Sequence, residues 1–333
     1  VGGEAGLSAA AARRRAEGLS AMDRGRFDLA RQAFAEVLEI APDNLATQAL
    51  YEAATRALLS AQREAGERFA GHRATVLAAP PWAYTLRRAL AGRTGAEPRL
   101  VPVSEEPSVG DAAAWLERHG LVLPEYEVPN PMRGEPGILP PSIPPTFGKF
   151  LLVQAIRDGE HNLLLYGPDY AGGRFVAVQR ADTGEIAALF DFEAYAHAPG
   201  EAGTPGIGEQ RVVWAALAHG ALLVSHAHGA PGHGSGESGY ITAIDVESGE
   251  LLWRSAPRVA SAADFVVAGE HVVTAHGAAG EPSWLYVLAL STGKTVARAR
   301  LRGSPEYLFL KSGTLQVRCD EAEYVFELHQ GGG

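Results

Sequence analysis

From about residue 149 the chain alternates apolar and polar positions in short runs, the period of two that sets one face of a strand against a core. FLLVQAI (150–156), GEHNLLLY (159–166), RFVAVQR (174–180) and EIAALF (185–190) form one group of strands. RVVWAAL (211–217), GALLVSH (220–226), YITAIDV (240–246) and ELLWRS (250–255) form a second, and FVVA, GEHVVTAH, WLYVLAL and KTVARA form a third between Phe265 and Ala299. A fourth group begins with EYLFL and TLQVRC and fades after EYVFEL, at Leu328. Ahead of the strands the period changes. Phe27, Ala30, Phe34, Val37 and Leu38 recur three and four residues apart, which makes one apolar stripe on a helix. Pro42 cannot continue that helix, and Asp43-Asn44 offers a cap for another, roughly Leu45 to Arg68, with Leu50, Tyr51, Ala54, Leu58 and Leu59 on one side.

The strand groups repeat. Phe175 precedes Gly184, Tyr240 precedes Gly249 and Trp284 precedes Gly293 by the same nine residues, each glycine following Thr or Ser in a tight turn that asks for positive φ. Gly249 to Gly293 is 44 residues; Gly184 to Gly249 is 65, the excess falling in loops at 199–208 and 229–239. Four strands per unit at this spacing predict a propeller-like domain of about four blades. The last unit lacks an outer strand, which a stretch such as Arg99 to Ser104 would supply; otherwise open edges would invite homodimerisation. Within this class GYITAIDVESGELLW (239–253) resembles the quinoprotein-like (PQQ-type) propeller repeat through Ala243, Asp245, Gly249 and Trp253. The other two repeats carry Ala188 and Ala297 at the tryptophan position. The enzymes of that family have many blades, calcium and a dedicated acidic base, which this chain lacks in large part, so no quinone cofactor is expected.

LSAMDRGRFDLARQAFAEVLEIAPDN (19–44) resembles a tetratricopeptide repeat, with Gly25, Phe27, Ala30, Phe34, Val37 and Pro42 in that family's order and spacing. One repeat does not stand alone, since solenoids of this kind need about three. The segment is therefore expected to dock on the rest of the chain or on another protein. Between the two parts lie a mixed region, with helices expected at Trp82 to Ala91 and Val109 to His119, and eight prolines in the 22 positions from 124 to 145. Proline cannot donate to a ladder, so this stretch reads as an extended bridge or strap. The expected class is α+β and multidomain: a TPR-like helical segment (1–70), a connecting region (71–123), a proline-rich bridge (124–148) and an all-β domain (149–330).

Charge narrows the partners. Residues 151–333 hold twelve basic against twenty-one acidic residues, so nearly all of the net charge of −10 belongs to the β half. Such a surface repels phosphate backbones and disfavours nucleic acid. No apolar run approaches the roughly 20 residues of a membrane span, and no secretory signal precedes Ser8. The expected setting is the bacterial cytoplasm, or the periplasm or envelope if a signal peptide precedes Val1. The single cysteine, Cys319, excludes an intramolecular disulfide and reads as a small strand residue.

The candidate chemistry is sparse. His226, His228 and His233 lie in SHAHGAPGHGSGESG (225–239); positions two apart share a strand face, so two imidazoles could meet a transition metal, with Glu237 or His276 completing the set. The loop also spells G-x-G-x-x-G through Gly234, Gly236 and Gly239, but a strand follows where the dinucleotide fingerprint needs a helix. The expected function is a non-enzymatic scaffold with protein partners, met by Tyr51 and Arg56 on the helical side and by Tyr170 and the His228 loop on the β side. The alternatives are a metal-binding or metal-sensing protein, and an envelope assembly factor, implied by resemblance to propellers of outer-membrane assembly lipoproteins.

Overall fold

A computed structural model describes residues 7–90, 96–130, 137–200, 208–228, 238–277 and 281–331. Helix α1 (Ala9–Asp23) starts where the Ser8 hydroxyl accepts from the Ala11 N–H at 3.2 Å. It stops before Gly25, whose φ of 70° lets the chain turn back into α2 (Phe27–Ile40). α2 buries Ala30, Phe34 and Val37 of the predicted stripe, with Ala33 beside them, while Phe27 and Leu38 are half-buried. Gly18 of α1 gives Phe34 its room, since a Cβ there would lie 2.5 Å from the ring. Asn44 then caps α3 (Leu45–Ala70) by accepting from the Thr47 N–H at 2.9 Å.

The helical segment does dock on the rest of the chain. Phe69, near the end of α3, meets the rings of Phe147 and Tyr166 at 4.8 and 5.2 Å, and Arg31 donates to the Gly137 carbonyl at 3.0 Å. Within the proline-rich stretch, Leu139 and Ile143 are buried in the same apolar cluster as Phe69. That stretch straps the helices to the β half, although Pro131 and Pro136 lie outside the described residues.

Beyond α3 come β1 (Thr75–Val76), β2 (Thr85–Leu86), β3 (Ala96–Pro107) and α4 (Ala112–His119). The helix expected at Trp82 to Ala91 does not form. The Arg87 and Arg88 N–H groups instead donate to the Leu252 carbonyl at 2.8 and 3.0 Å, so pairing to a distant strand overrides helical propensity.

The remaining strands make four sheets. The first contains β4 (Thr146–Phe147), β5 (Phe150–Asp158), β6 (His161–Gly167), β7 (Phe175–Arg180) and β8 (Ile186–Asp191), with β1 added in parallel on β8. The second contains β9 (Gln210–Ala218), β10 (Ala221–His228), β11 (Tyr240–Asp245) and β12 (Leu251–Arg254), with β2 on β12. The third is β13 (Val266–Ala268), β14 (His271–His276), β15 (Ser283–Ala289) and β16 (Thr295–Leu301). The fourth is β17 (Pro305–Lys311), β18 (Thr314–Cys319) and β19 (Ala322–Gly331), completed by β3 along almost the whole length of β19.

Register shows that the repeats are equivalent residue by residue. Phe175, Tyr240 and Trp284 stand opposite Tyr166, His226 and His276 in turn. Three residues further on, Val178, Ala243 and Val287 oppose Ala188, Trp253 and Ala297, and the register slips immediately after each pair. In the second unit the tryptophan stands opposite an alanine, where the first and third units pair valine with alanine. The turn glycines Gly184, Gly249 and Gly293 have φ of 72°, 72° and 68°, each N–H closing on the carbonyl four residues back. Asp245 serves this turn, accepting from the Glu247 and Ser248 N–H groups and pairing with Arg88. Upstream segments thus pair with the outer strands β8, β12 and β19, over two residues each on β8 and β12 and along most of β19.

Candidate functional site

The leading strands β5, β9, β13 and β17 of the four sheets converge on one cavity of about 340 Å³. Its walls are chiefly apolar, with Ile156, Trp214, Phe265, Leu308 and Phe309 among them. One side chain stands out against that lining. Asp264, on the approach to β13, is 5% exposed, and its Oδ1 accepts from the Leu308 N–H of β17 at 2.8 Å. Among the described residues it forms no ion pair. Burial pushes its pKa up to about 8; the Leu308 N–H opposes that rise, and the nearby Glu125 carboxylate adds to it.

The other charged groups around the cavity are committed. Asp158 of β5 accepts from the Leu217 N–H of β9 at 2.6 Å, tying the first sheet to the second. Arg157 lies over the Tyr126 ring at 5.0 Å and donates to the Glu125 carbonyl at 3.2 Å. The Glu125 carboxylate accepts from Gln154 at 3.0 Å and is itself raised in pKa by burial. An apolar cavity holding a largely protonated carboxyl can take a cation, because an ammonium beside Asp264 would supply the charge whose absence now keeps the proton on.

The residues singled out in the sequence fall elsewhere. His226 is fully buried in β10, its ring stacked on Tyr195 at 5.0 Å and beside Phe192 at 5.4 Å. Burial first, and then the charge of Arg254, hold its pKa well below the ordinary value, so it is neutral. His228 ends β10, and His233, Gly234, Gly236 and Glu237 lie outside the described residues. Among the described residues, no group of three or more His, Cys, Asp or Glu is placed to hold a metal ion. Tyr51 is half-buried against the helical core around Phe34, Arg56 is exposed and pairs with Glu52 at 3.6 Å, and Tyr170 is half-buried in the turn after β6. Cys319 is buried in β18 with its thiol pushed up to about 12, as a core residue would be.

Asp264 is not among the residues the sequence pattern singles out, because the alternation of the third unit begins at Phe265. The available signal was one acidic residue in the small and apolar run VASAADFVVA (259–268), where a charge has no amphipathic face to occupy.

No known protein family matches the chain, and no curated protein matches it. Among solved structures, the computationally designed Ika4 protein is 11% identical, with 53% of this chain and 88% of that one covered at a TM-score of 0.32. That likeness is too slight to carry an argument. Among the described residues no helix is long and apolar enough to cross a membrane.

Proposed function

We propose that this chain is a non-catalytic recognition scaffold: a four-bladed propeller, closed by β3, that carries a TPR-like helical segment and receives a basic group of a protein partner in its axial cavity. The observation that carries the reading is Asp264, a buried carboxyl in a chiefly apolar cavity, with no ion pair among the described residues. A partner's lysine side chain fits that need, its methylenes against Trp214, Phe265 and Phe309 and its ammonium at the carboxylate. The excess of acidic residues in the β half would draw such a partner in. On the helical side Ile40, Leu45 and Leu59 are 62%, 76% and 61% exposed and offer apolar contact to the same partner.

Calorimetry with Nα-acetyl-lysine amide tests the reading. Binding at pH 7 is expected with release of about one proton, because Asp264 ionises as the ammonium arrives. The Nζ-acetylated probe is expected not to bind, and Asp264→Asn, which keeps the shape and the acceptor for Leu308, to bind at least about tenfold more weakly. Equal affinity for wild type and Asp264→Asn, or no heat with the charged probe, would overturn it.

A further inference from the structure

A second cavity, of about 230 Å³, lies where the first and second sheets meet and shares no lining residue with the axial one. Its polar lining is unusual in what it leaves unmade. Among the described residues Gln210, 3% exposed at the start of β9, has neither its amide nitrogen nor its amide oxygen hydrogen-bonded, and His226, fully buried, has neither ring nitrogen bonded. Each such orphan costs about 1–3 kcal/mol, so these four, with the Arg211 Nη1 that also lacks a hydrogen bond in the same lining, are a large standing cost for a fold to keep without a use.

The two side chains are placed together. His226 stands opposite Val212 in the β9–β10 pair, and Gln210, two residues before Val212, shares its face. The diagonal between such positions is roughly 7–8 Å, a span that one ring with flanking polar atoms bridges. A buried imidazole is ordinarily oriented by a hydrogen bond at one nitrogen. Here the Tyr195 stack at 22° to the ring holds it instead, which leaves both nitrogens available.

The charges settle the ligand's charge. Arg174 is spent on Asp191, at 2.9 and 2.7 Å, and on Glu193, at 2.9 Å. Arg211 is held by Glu209 at 2.7 Å and by Asp169 at 3.5 Å, and Lys149 sits over the Phe150 ring at 5.6 Å. The cations of the lining therefore face carboxylates or a ring already in place. Among the described residues Arg211 Nη1 also lacks a hydrogen bond, but its charge is paired with Asp169 and Glu209, and Lys149 is exposed; the buried groups left open are neutral: one donor and one acceptor from His226, and donor and acceptor from the Gln210 amide. Phe150 and Phe192 supply flat walls. We infer that the pocket between the first two sheets is a binding site for a planar, uncharged ring bearing an amide or imide, whose paired donor and acceptor complete Gln210 and His226.

The probes are nicotinamide and uracil, against benzoate and benzylammonium as charged rings of like size. Binding is read by calorimetry and by the ring nitrogen resonances of His226. One of the neutral probes is expected to bind with a dissociation constant of about 1 mM or tighter and to move both His226 nitrogens. Gln210→Leu and His226→Phe are each expected to weaken it about tenfold or more, whereas Asp264→Asn leaves it unchanged, which separates this site from the axial one. Three outcomes would overturn the inference: unmoved His226 resonances with both neutral probes, tighter binding of benzoate or benzylammonium, or wild-type affinity in both pocket variants. A pocket that holds water only would give the first of these, with Gln210→Leu and His226→Phe no less stable than wild type.

Discussion

Asp264→Asn is expected to stabilise the protein by about 2–4 kcal/mol at pH 7, although it removes the group proposed to bind the ligand. The carboxyl's folded pKa of about 8 lies above its ordinary 3.8, so the folded chain keeps a proton that the unfolded chain loses across this window. Stability contributed by protonated Asp264 is complete below pH 3.8. It falls as pH rises towards 8, by up to about 1.4 kcal/mol per pH unit, because the folded state binds the extra proton. Asparagine has no proton to lose, so this descending limb should flatten in the variant. Urea titrations of both proteins at pH 5, 7 and 8 check the sign. A variant that is equally destabilised at all three would show that Asp264 is an ionised structural residue.

Gly293→Ala is expected to cost about 2–5 kcal/mol, the sum of a left-handed backbone and an overpacked contact. A Cβ at Gly293 would lie 2.1 Å from the Trp253 ring, which is fully buried and anchored by its Nε1–H on the Leu290 carbonyl at 2.9 Å. The indole is thus the plate that joins the second sheet to the third. Gly159 makes the control: its φ is 58°, but nothing lies within 4 Å of the Cβ that alanine would add. Gly159→Ala should cost only about 1–2 kcal/mol, the backbone strain alone. Denaturant midpoints for the pair separate the two causes, and equal losses would mean that the Trp253 contact does not constrain the third sheet.

The strands were legible because their signal is local. Alternation over six or seven residues and a glycine nine positions after an aromatic ring are both properties of one segment, and each reappears at its expected register. Docking of α3 and closure by β3 were legible as needs, since a lone helical repeat and an unfinished sheet both require cover. β1 and β2 were not, because two-residue strands leave no periodicity and form only against β8 and β12. The site residues were hardest for the same reason. Asp264 owes its character to Leu308 and Glu125, more than forty residues away on either side, and His226 owes its neutrality and orientation to Tyr195, Phe192 and Arg254. A polar residue in a strand declares itself buried and unsatisfied only after other segments close over it. The histidine spacing suggests a metal; His226 lies among aromatic rings, and His233 lies outside the described residues.

The proposal that the four sheets surround a cation-accepting cavity is tested most directly by the carboxyl carbon resonance of Asp264, followed through a pH titration with and without Nα-acetyl-lysine amide. It should titrate near pH 8 in the free protein, and saturating amine should carry the midpoint down by at least about one unit. A carboxyl that titrates in the ordinary aspartate range in the free protein, or one whose midpoint the amine leaves in place, would contradict it.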